Sequence, residues 1–306
     1  MVAHRVGEPL GTLVLAVAVT IIEVALIVSM MLAGGPDKAS LPREAIFSAI
    51  MIICNGVIGL CLLLGGVRHY EQTFRVEGAS TALATMIALA TLSLVLPTFT
   101  TSARGPTYTL AQLAFAAIAS LVLWATFVFV QTVRHRDYFL PAPGADEDAH
   151  AAPPSAKFAA ASFGVLVVAL VAVVGLAKLL SPSIEAVVAA AGAPSAVIGI
   201  AIALLVLLPE TVAAVRAARA NRLQTSLNLA LGSALASIGL TIPAVALASV
   251  LFGMPLTLGL GGKDLVLLAL TFVVASITLV SGRTHVMQGV VHLVIFAAFL
   301  FLAFVP

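Results

Sequence analysis

Two glutamates stand where charge is least expected. The 306-residue chain carries thirteen Asp and Glu residues, and eleven of them fall in loops or at the edges of apolar runs. Glu23 and Glu210 sit well inside such runs. An ionised carboxylate in hydrocarbon is costly, so an acid there faces a cavity or an ion path, or is protonated and bonded to a neighbouring helix. Two acids in related surroundings favour the ion path. The first lies in Val19-Thr20-Ile21-Ile22-Glu23-Val24-Ala25, the second in Leu207-Leu208-Pro209-Glu210-Thr211-Val212-Ala213. Each acid run is followed by a run of small and polar residues. These are Cys54-Asn55-Gly56-Val57-Ile58-Gly59 in the first half and Gly232-Ser233-Ala234-Leu235-Ala236-Ser237 in the second. Aligned without gaps, Asn55 falls on Ser233. A hard cation such as Ca²⁺ takes roughly six to eight oxygen ligands. Two glutamates, Asn55 Oδ1, Ser233 Oγ and nearby carbonyls could supply them. Pro209 lacks an N–H, so it frees a carbonyl one turn earlier and is expected to kink the helix beside Glu210. Ile22 holds the equivalent place before Glu23 and gives no such break. Without metal, two close, desolvated glutamates favour protonation. Metal and protons then compete for the same oxygens, which is the coupling an antiporter needs.

The elements that position these residues are membrane spans. Hydrophobic residues make up 61% of the chain and charged ones 9%, and the mean hydropathy is +1.18. A water-soluble domain cannot expose so little charge. The formal net charge of +2 argues against nucleic acid as a partner. Cys54 and Cys61 fall two turns apart on one helix face, too far to bridge. A span needs about 20 mostly apolar residues, and nine runs qualify. They are Leu10–Ala33, Ala45–Gly65, Ser80–Phe99, Leu110–Thr132, Ala159–Leu180, Ser195–Val215, Ser226–Leu251, Leu265–Leu279 and Val286–Val305. Ser183–Ala191 is too short to span. The expected fold is all-α, a polytopic transmembrane helix bundle.

Nine spans place Arg5, Arg68, Arg75, Arg134, Arg136, Lys157, Arg216, Arg219, Arg222 and Arg283 on one side. Lys38, Arg43, Arg104, Lys178 and Lys263 fall on the other. The more basic side is normally cytoplasmic. This puts the N-terminus inside and the C-terminus outside, in a bacterial inner membrane. The same count runs the Glu23 helix outward and the Glu210 helix inward. An acid-bearing unit present twice in opposite orientation is the inverted repeat of many secondary transporters, with its site at the midplane. The expected organisation is a first membrane repeat over 1–140, an acidic Pro/Ala linker over 141–155, and a second repeat over 156–306.

At these residues the chain resembles the bacterial calcium/proton antiporters of the calcium/cation antiporter superfamily. The resemblance runs over nearly the whole chain. It is strongest at His4-Arg5-Val6-Gly7-Glu8-Pro9-Leu10-Gly11-Thr12, Cys54-Asn55-Gly56, Leu62-Leu63-Leu64-Gly65-Gly66, Leu208-Pro209-Glu210, Gly232-Ser233 and Ser281-Gly282-Arg283-Thr284 with Gly289 and His292. It implies two inverted five-helix halves, with Glu23 and Glu210 as paired Ca²⁺/H⁺ carboxylates and Asn55 and Ser233 lining the site. It implies a transporter rather than an enzyme, with no cofactor and with Ca²⁺ and H⁺ as cargo. Its partners are the transported cations and the lipid bilayer; homo-oligomerisation is left open. Two departures stand out. Val19-Thr20 and Val206-Leu207 replace the Gly-Asn of the family's Gly-Asn-x-x-Glu form. The halves read four helices plus five, which is expected if the sequence starts late relative to its relatives, as a true short form or from a mis-assigned start codon. One alternative is a Na⁺ or K⁺/proton antiporter. Another, of a different class, is an intramembrane hydrolase using Ser233 with His285 or His292, which leaves both glutamates unexplained.

Overall fold

Backbone amides in hydrocarbon must be satisfied within their own segment, and this chain satisfies them with helices. The computed structural model describes residues 10–140 and 196–305, with scattered positions between 161 and 194. Helix α1 spans Leu10–Gly34. Helices α2 (Leu41–His69), α3 (Val76–Phe99) and α4 (Leu110–Arg134) follow as continuous spans. Each contains one wider π turn, at Ile52–Val57 in α2, Thr91–Val95 in α3 and Val130–Arg134 in α4. Then come α5 (Ala196–Val206), α6 (Leu208–Arg219), α7 (Leu223–Phe252), α8 (Gly262–Val280) and α9 (Val286–Phe304). Among the described residues, seven helices are long and apolar enough to cross a membrane, and the bent α5–α6 pair makes up to eight. The expected span Ala159–Leu180 and the short Ser183–Ala191 lie largely outside the described residues, and the linker 141–155 lies wholly outside them.

The run expected as one span over Ser195–Val215 is two helices bent by 57°. Leu207 marks the break, and Pro209 stands in the first turn of α6. A proline ring cannot accept the helix that would precede it, so the bend follows from the residue type. Helix α1, with no proline, runs unbroken through Glu23.

Loops gather at two opposite faces. At one, β1 (Gln72–Thr73) pairs antiparallel with β2 (Arg283–Thr284). His69 Nε2 meets the Arg219 carbonyl at 3.0 Å, Gln72 Nε2 donates to the Ala218 carbonyl at 2.9 Å, and the Arg75 N–H donates to Gln224 Oε1 at 2.7 Å. Asn228 donates to the Phe139 carbonyl at the same end. At the other face, the Thr257 N–H donates to Ala39, the Gly259 N–H to Pro106, and Arg43 Nη1 to the Gly259 carbonyl. The described basic residues divide between the two faces as the alternating spans require. Helix α1 ends at the second face and α6 ends at the first, so the two acid-bearing helices run in opposite directions.

Helix α7 is the spine. It packs against α1, α3, α4 and α6 and also meets α2. Most of its polar side chains are buried, among them Ser226, Asn228, Ser233, Ser237 and Thr241. Large apolar side chains point outward, on α4 (Phe115, Ile118, Val122) and on α8 (Val266, Val273, Ile277), as a lipid-facing surface requires.

Small residues set the closest approaches. A Cβ on Gly289 of α9 would press on the Leu63 backbone nitrogen and lie 2.9 Å from the Gly59 carbonyl oxygen. Gly56, Gly59 and Gly239 likewise face neighbouring side chains, of Phe296, His292 and Trp124. Gly232, which its small size would equally assign to helix packing, has no described atom within 4 Å of where its Cβ would stand, and lines a small gap between α1, α4 and α7. Gly289→Val is expected to lower the melting temperature of the detergent-solubilised protein by the ~1–3 kcal/mol of an overpacked contact. Gly232→Ala is not expected to lower it.

Candidate functional site

The periodicity that buries the apolar face of α1 buries its acid too. Ala16, Thr20, Glu23, Ile27 and Met31 fall at intervals of three and four residues, and all are buried. Glu23 is 4% exposed. Ser237 of α7 donates its hydroxyl proton to Glu23 Oε2 at 2.6 Å. A hydroxyl donating to a carboxylate is a short, charge-assisted bond, and here it crosses between the two halves of the chain.

Glu210 is buried to the same degree in the first turn of α6, on the face that also carries Ala214, Ala217 and Ala218. The helix N-terminus offers it a favourable dipole. Among the described residues, no other residue gives either of its carboxylate oxygens a hydrogen bond. Glu210 also interacts electrostatically with Glu23. Two buried carboxylates feel each other's charge, and one takes no bond from any other described residue. A buried acceptor left unmet is costly, so this position calls for a proton or a cation.

The packing is reciprocal. Helix α1 of the first half lies along α7 of the second, and α6 of the second half packs against α2 of the first, including its π turn. Each acid helix therefore crosses the small-residue helix of the other half.

The other anticipated positions are placed as follows. Ser233 is buried on α7 one turn before Ser237, and its hydroxyl makes no hydrogen bond to either glutamate. Asn55 is fully buried in the π turn of α2, and its amide bonds to Thr271 and His292 rather than to a glutamate. The Pro209 ring lies on the exposed side of α6, so it acts through the bend rather than as a lining group. Ser237 was the missed residue. Its signal was present, because Ser233 and Ser237 are four apart and share a helix face. Among the described residues, no group of three or more His, Cys, Asp or Glu side chains converges to hold a metal ion. A cation held here would rest on two carboxylates and neutral oxygens. Cys54 and Cys61 are buried free thiols. Neither histidine serves Ser233 as a base. His285 caps the start of α9, and both ring nitrogens of His292 are engaged with Asn55 and Thr278.

The chain matches the sodium/calcium exchanger protein family over residues 1–133 and 161–305. It is 52% identical over 310 residues to a putative ionic transporter of Sinorhizobium fredii, covering 100% of this chain and 83% of that protein. It is 35% identical over 307 residues to the sodium-potassium/proton antiporter of Escherichia coli, covering 99% of this chain and 83% of that protein. Its fold matches the crystal structure of the Ca²⁺/H⁺ antiporter protein YfkE with a TM-score of 0.71 at 17% identity, over 100% of this chain and 88% of that one. These relatives are transporters, and the hydrolase alternative falls with them.

Removing one bond to a buried carboxylate costs on the order of 1–3 kcal/mol. Ser237→Ala is therefore expected to lower the melting temperature in detergent. Ser233→Ala, whose hydroxyl holds neither carboxylate, is expected to leave it unchanged.

Proposed function

The chain belongs to the sodium/calcium exchanger protein family of cation antiporters, and we propose that it exchanges Ca²⁺ for protons, with Glu23 and Glu210 alternately binding the metal or protons. The observation that carries this is the buried carboxylate pair, in which both oxygens of Glu210 lack a partner from any other described residue. Two carboxylates neutralise a divalent ion in a low-dielectric site. Ser237 and Ser233 on α7 offer hydroxyl oxygens. The bend at Leu207 offers carbonyls released by Pro209, and water completes a shell of roughly six to eight oxygens. Asn55 stands in a π turn that packs against α6, at the repeat position matching Ser233.

Coupling then needs no further device. When Ca²⁺ leaves, two desolvated, mutually repelling carboxylates take up protons. When Ca²⁺ enters, it displaces them. Alternating access carries either load between the faces. With the arginine-rich face cytoplasmic, the chain sits in a bacterial inner membrane with its C-terminus outside. The two repeats are residues 1–140 and 156–306, joined by the linker 141–155. No cofactor is needed, because both reactants are cargo.

A monovalent cation is the alternative, and one observation favours it. The relative at 35% identity is by name a sodium-potassium/proton antiporter, closer in sequence than the 17% identical Ca²⁺/H⁺ antiporter structure.

Proton-driven uptake of radiolabelled Ca²⁺ into everted membrane vesicles tests both. Glu23→Gln and Glu210→Gln are each expected to abolish uptake, and Ser233→Ala to weaken it. Normal uptake in either glutamine variant rejects the carboxylate pair. Proton-coupled Na⁺ or K⁺ uptake without Ca²⁺ uptake moves the cargo to the monovalent ion.

A further inference from the structure

A second buried polar cluster lies beside the carboxylate pair, built from α2, α8 and α9. His292 of α9 is 1% exposed. Its Nδ1 lies 3.2 Å from Asn55 Oδ1, and its Nε2 lies 3.1 Å from Thr278 Oγ1. Asn55 Nδ2 donates to Thr271 Oγ1 at 2.9 Å, and Thr271 donates its own proton to the Leu267 carbonyl at 2.7 Å. Thr271 has one proton, directed to the Leu267 carbonyl or to Met51 Sδ, so it must accept from Asn55. That fixes the Asn55 amide with its oxygen toward His292. An amide oxygen only accepts, so His292 Nδ1 carries the proton. Nε2 of the neutral ring then accepts from Thr278. The four side chains form a one-way hydrogen-bond chain in which every member is satisfied.

The ring is also fixed by packing. A Cβ on Gly59 would lie 2.9 Å from His292 Cβ, so α9 seats His292 in a gap that α2 leaves by lacking a side chain. Asn55 belongs to the π turn Ile52–Val57, which packs against α6, α7, α8 and α9. π turns bring backbone out of the regular ladder and recur at functional sites. Here the turn is pinned on the α8–α9 side by Asn55 and faces, on the other, the helix that opens on Glu210.

We infer that His292 is a positioning residue for cation binding: it orients Asn55 and through it holds the π turn of α2 against the Glu210 turn. This rests on the cation/proton exchange proposed above. The last helix, which contributes no carboxylate, thereby sets the affinity of the site. Positioning groups behind metal ligands typically change affinity by about 10–100-fold when removed.

Cation affinity is read in two ways. One is the half-saturating concentration for uptake into everted vesicles, normalised to the protein present. The other is Ca²⁺ titration of the fluorescence of Trp124, the single tryptophan, which packs against Gly239 of α7 two residues from Ser237. His292→Leu is expected to raise the half-saturating concentration about tenfold while the maximal rate stays within about twofold. His292→Asn, which keeps a donor near the place of Nδ1, is expected to stay within about threefold of wild type. His292→Gln, which reaches toward Thr278 instead, should behave like the leucine variant. His292 holds the π turn through Asn55 and through a bond to the Cys54 backbone, so adding His292→Leu to Asn55→Ala should cost less than the two single costs summed. A lowered maximal rate with unchanged affinity, equal affinities in the asparagine and glutamine variants, or independent effects in the double variant would overturn the assignment. If His292→Leu fails to accumulate, the asparagine–glutamine comparison decides. Fluorescence separates the two proposals, since Ca²⁺ can be seen to bind Trp124-reported sites even where no proton-coupled uptake occurs.

Discussion

Removing a carboxylate from water without giving it a partner is the cost around which this bundle is arranged. The chain accepts that cost twice, at Glu23 and Glu210, and meets it unequally. Glu23 lies in the middle of an unbroken helix, where every backbone amide is already used, so its partner had to come from another helix and is Ser237. Glu210 lies at a helix start created by the Leu207 break, so a dipole replaces a side-chain donor. That compensation leaves both of its oxygens unmet by any other described residue. The proline, the serine and the reciprocal crossing of α1 with α7 and α6 with α2 answer one electrostatic problem.

The opposed directions of the two acid helices follow from the loops. His69, Gln72 and Arg75 tie the α2–α3 connection to the α6–α7 connection, and the β1–β2 pair brings in the α8–α9 connection. The loops after α1, α3 and α7 meet at the opposite end through Ala39, Pro106 and Gly259. Hydrogen bonds between loops, rather than charge counting, establish which segments share a face. The arginines follow the same division because charge cannot remain in the hydrocarbon between the faces.

Much of this was legible in the residues. Apolar runs locate helices because lipid leaves the backbone no other solution, and Pro209 announced the bend because its missing N–H acts locally. Glu23 and Glu210 were conspicuous as lone charges in apolar runs. Which α7 hydroxyl reaches Glu23 was not legible. Ser233 and Ser237 are chemically alike, and the choice depends on the height at which α1 crosses α7, which no local pattern encodes. The gapless alignment of Asn55 with Ser233 captured a repeat position but not a bond. Asn55 turns to His292 and Thr271, residues more than 200 positions away in the chain. Gly232 shows the same limit from the packing side, since a glycine reads as a contact point whether or not a helix lies against it.

The inequality of the two carboxylates bears on exchange itself. If the two halves were equivalent, both acids would hold protons or metal alike. In this structure Glu23 already accepts one strong bond at Oε2, leaving that oxygen's second lone pair and the other oxygen for an arriving cation. Glu210 takes no hydrogen bond from any other described residue, and it stands beside a backbone bend that the Thr211 hydroxyl spans by donating to the Leu207 carbonyl at 2.8 Å. On the exchange mechanism proposed above, the two carboxylates are not interchangeable ligands. Motion at the Leu207 bend would move Glu210 relative to a fixed Glu23, because α1 has no equivalent break. The two acids therefore differ in their backbone setting: α6 opens on a bend, whereas α1 runs unbroken through Glu23.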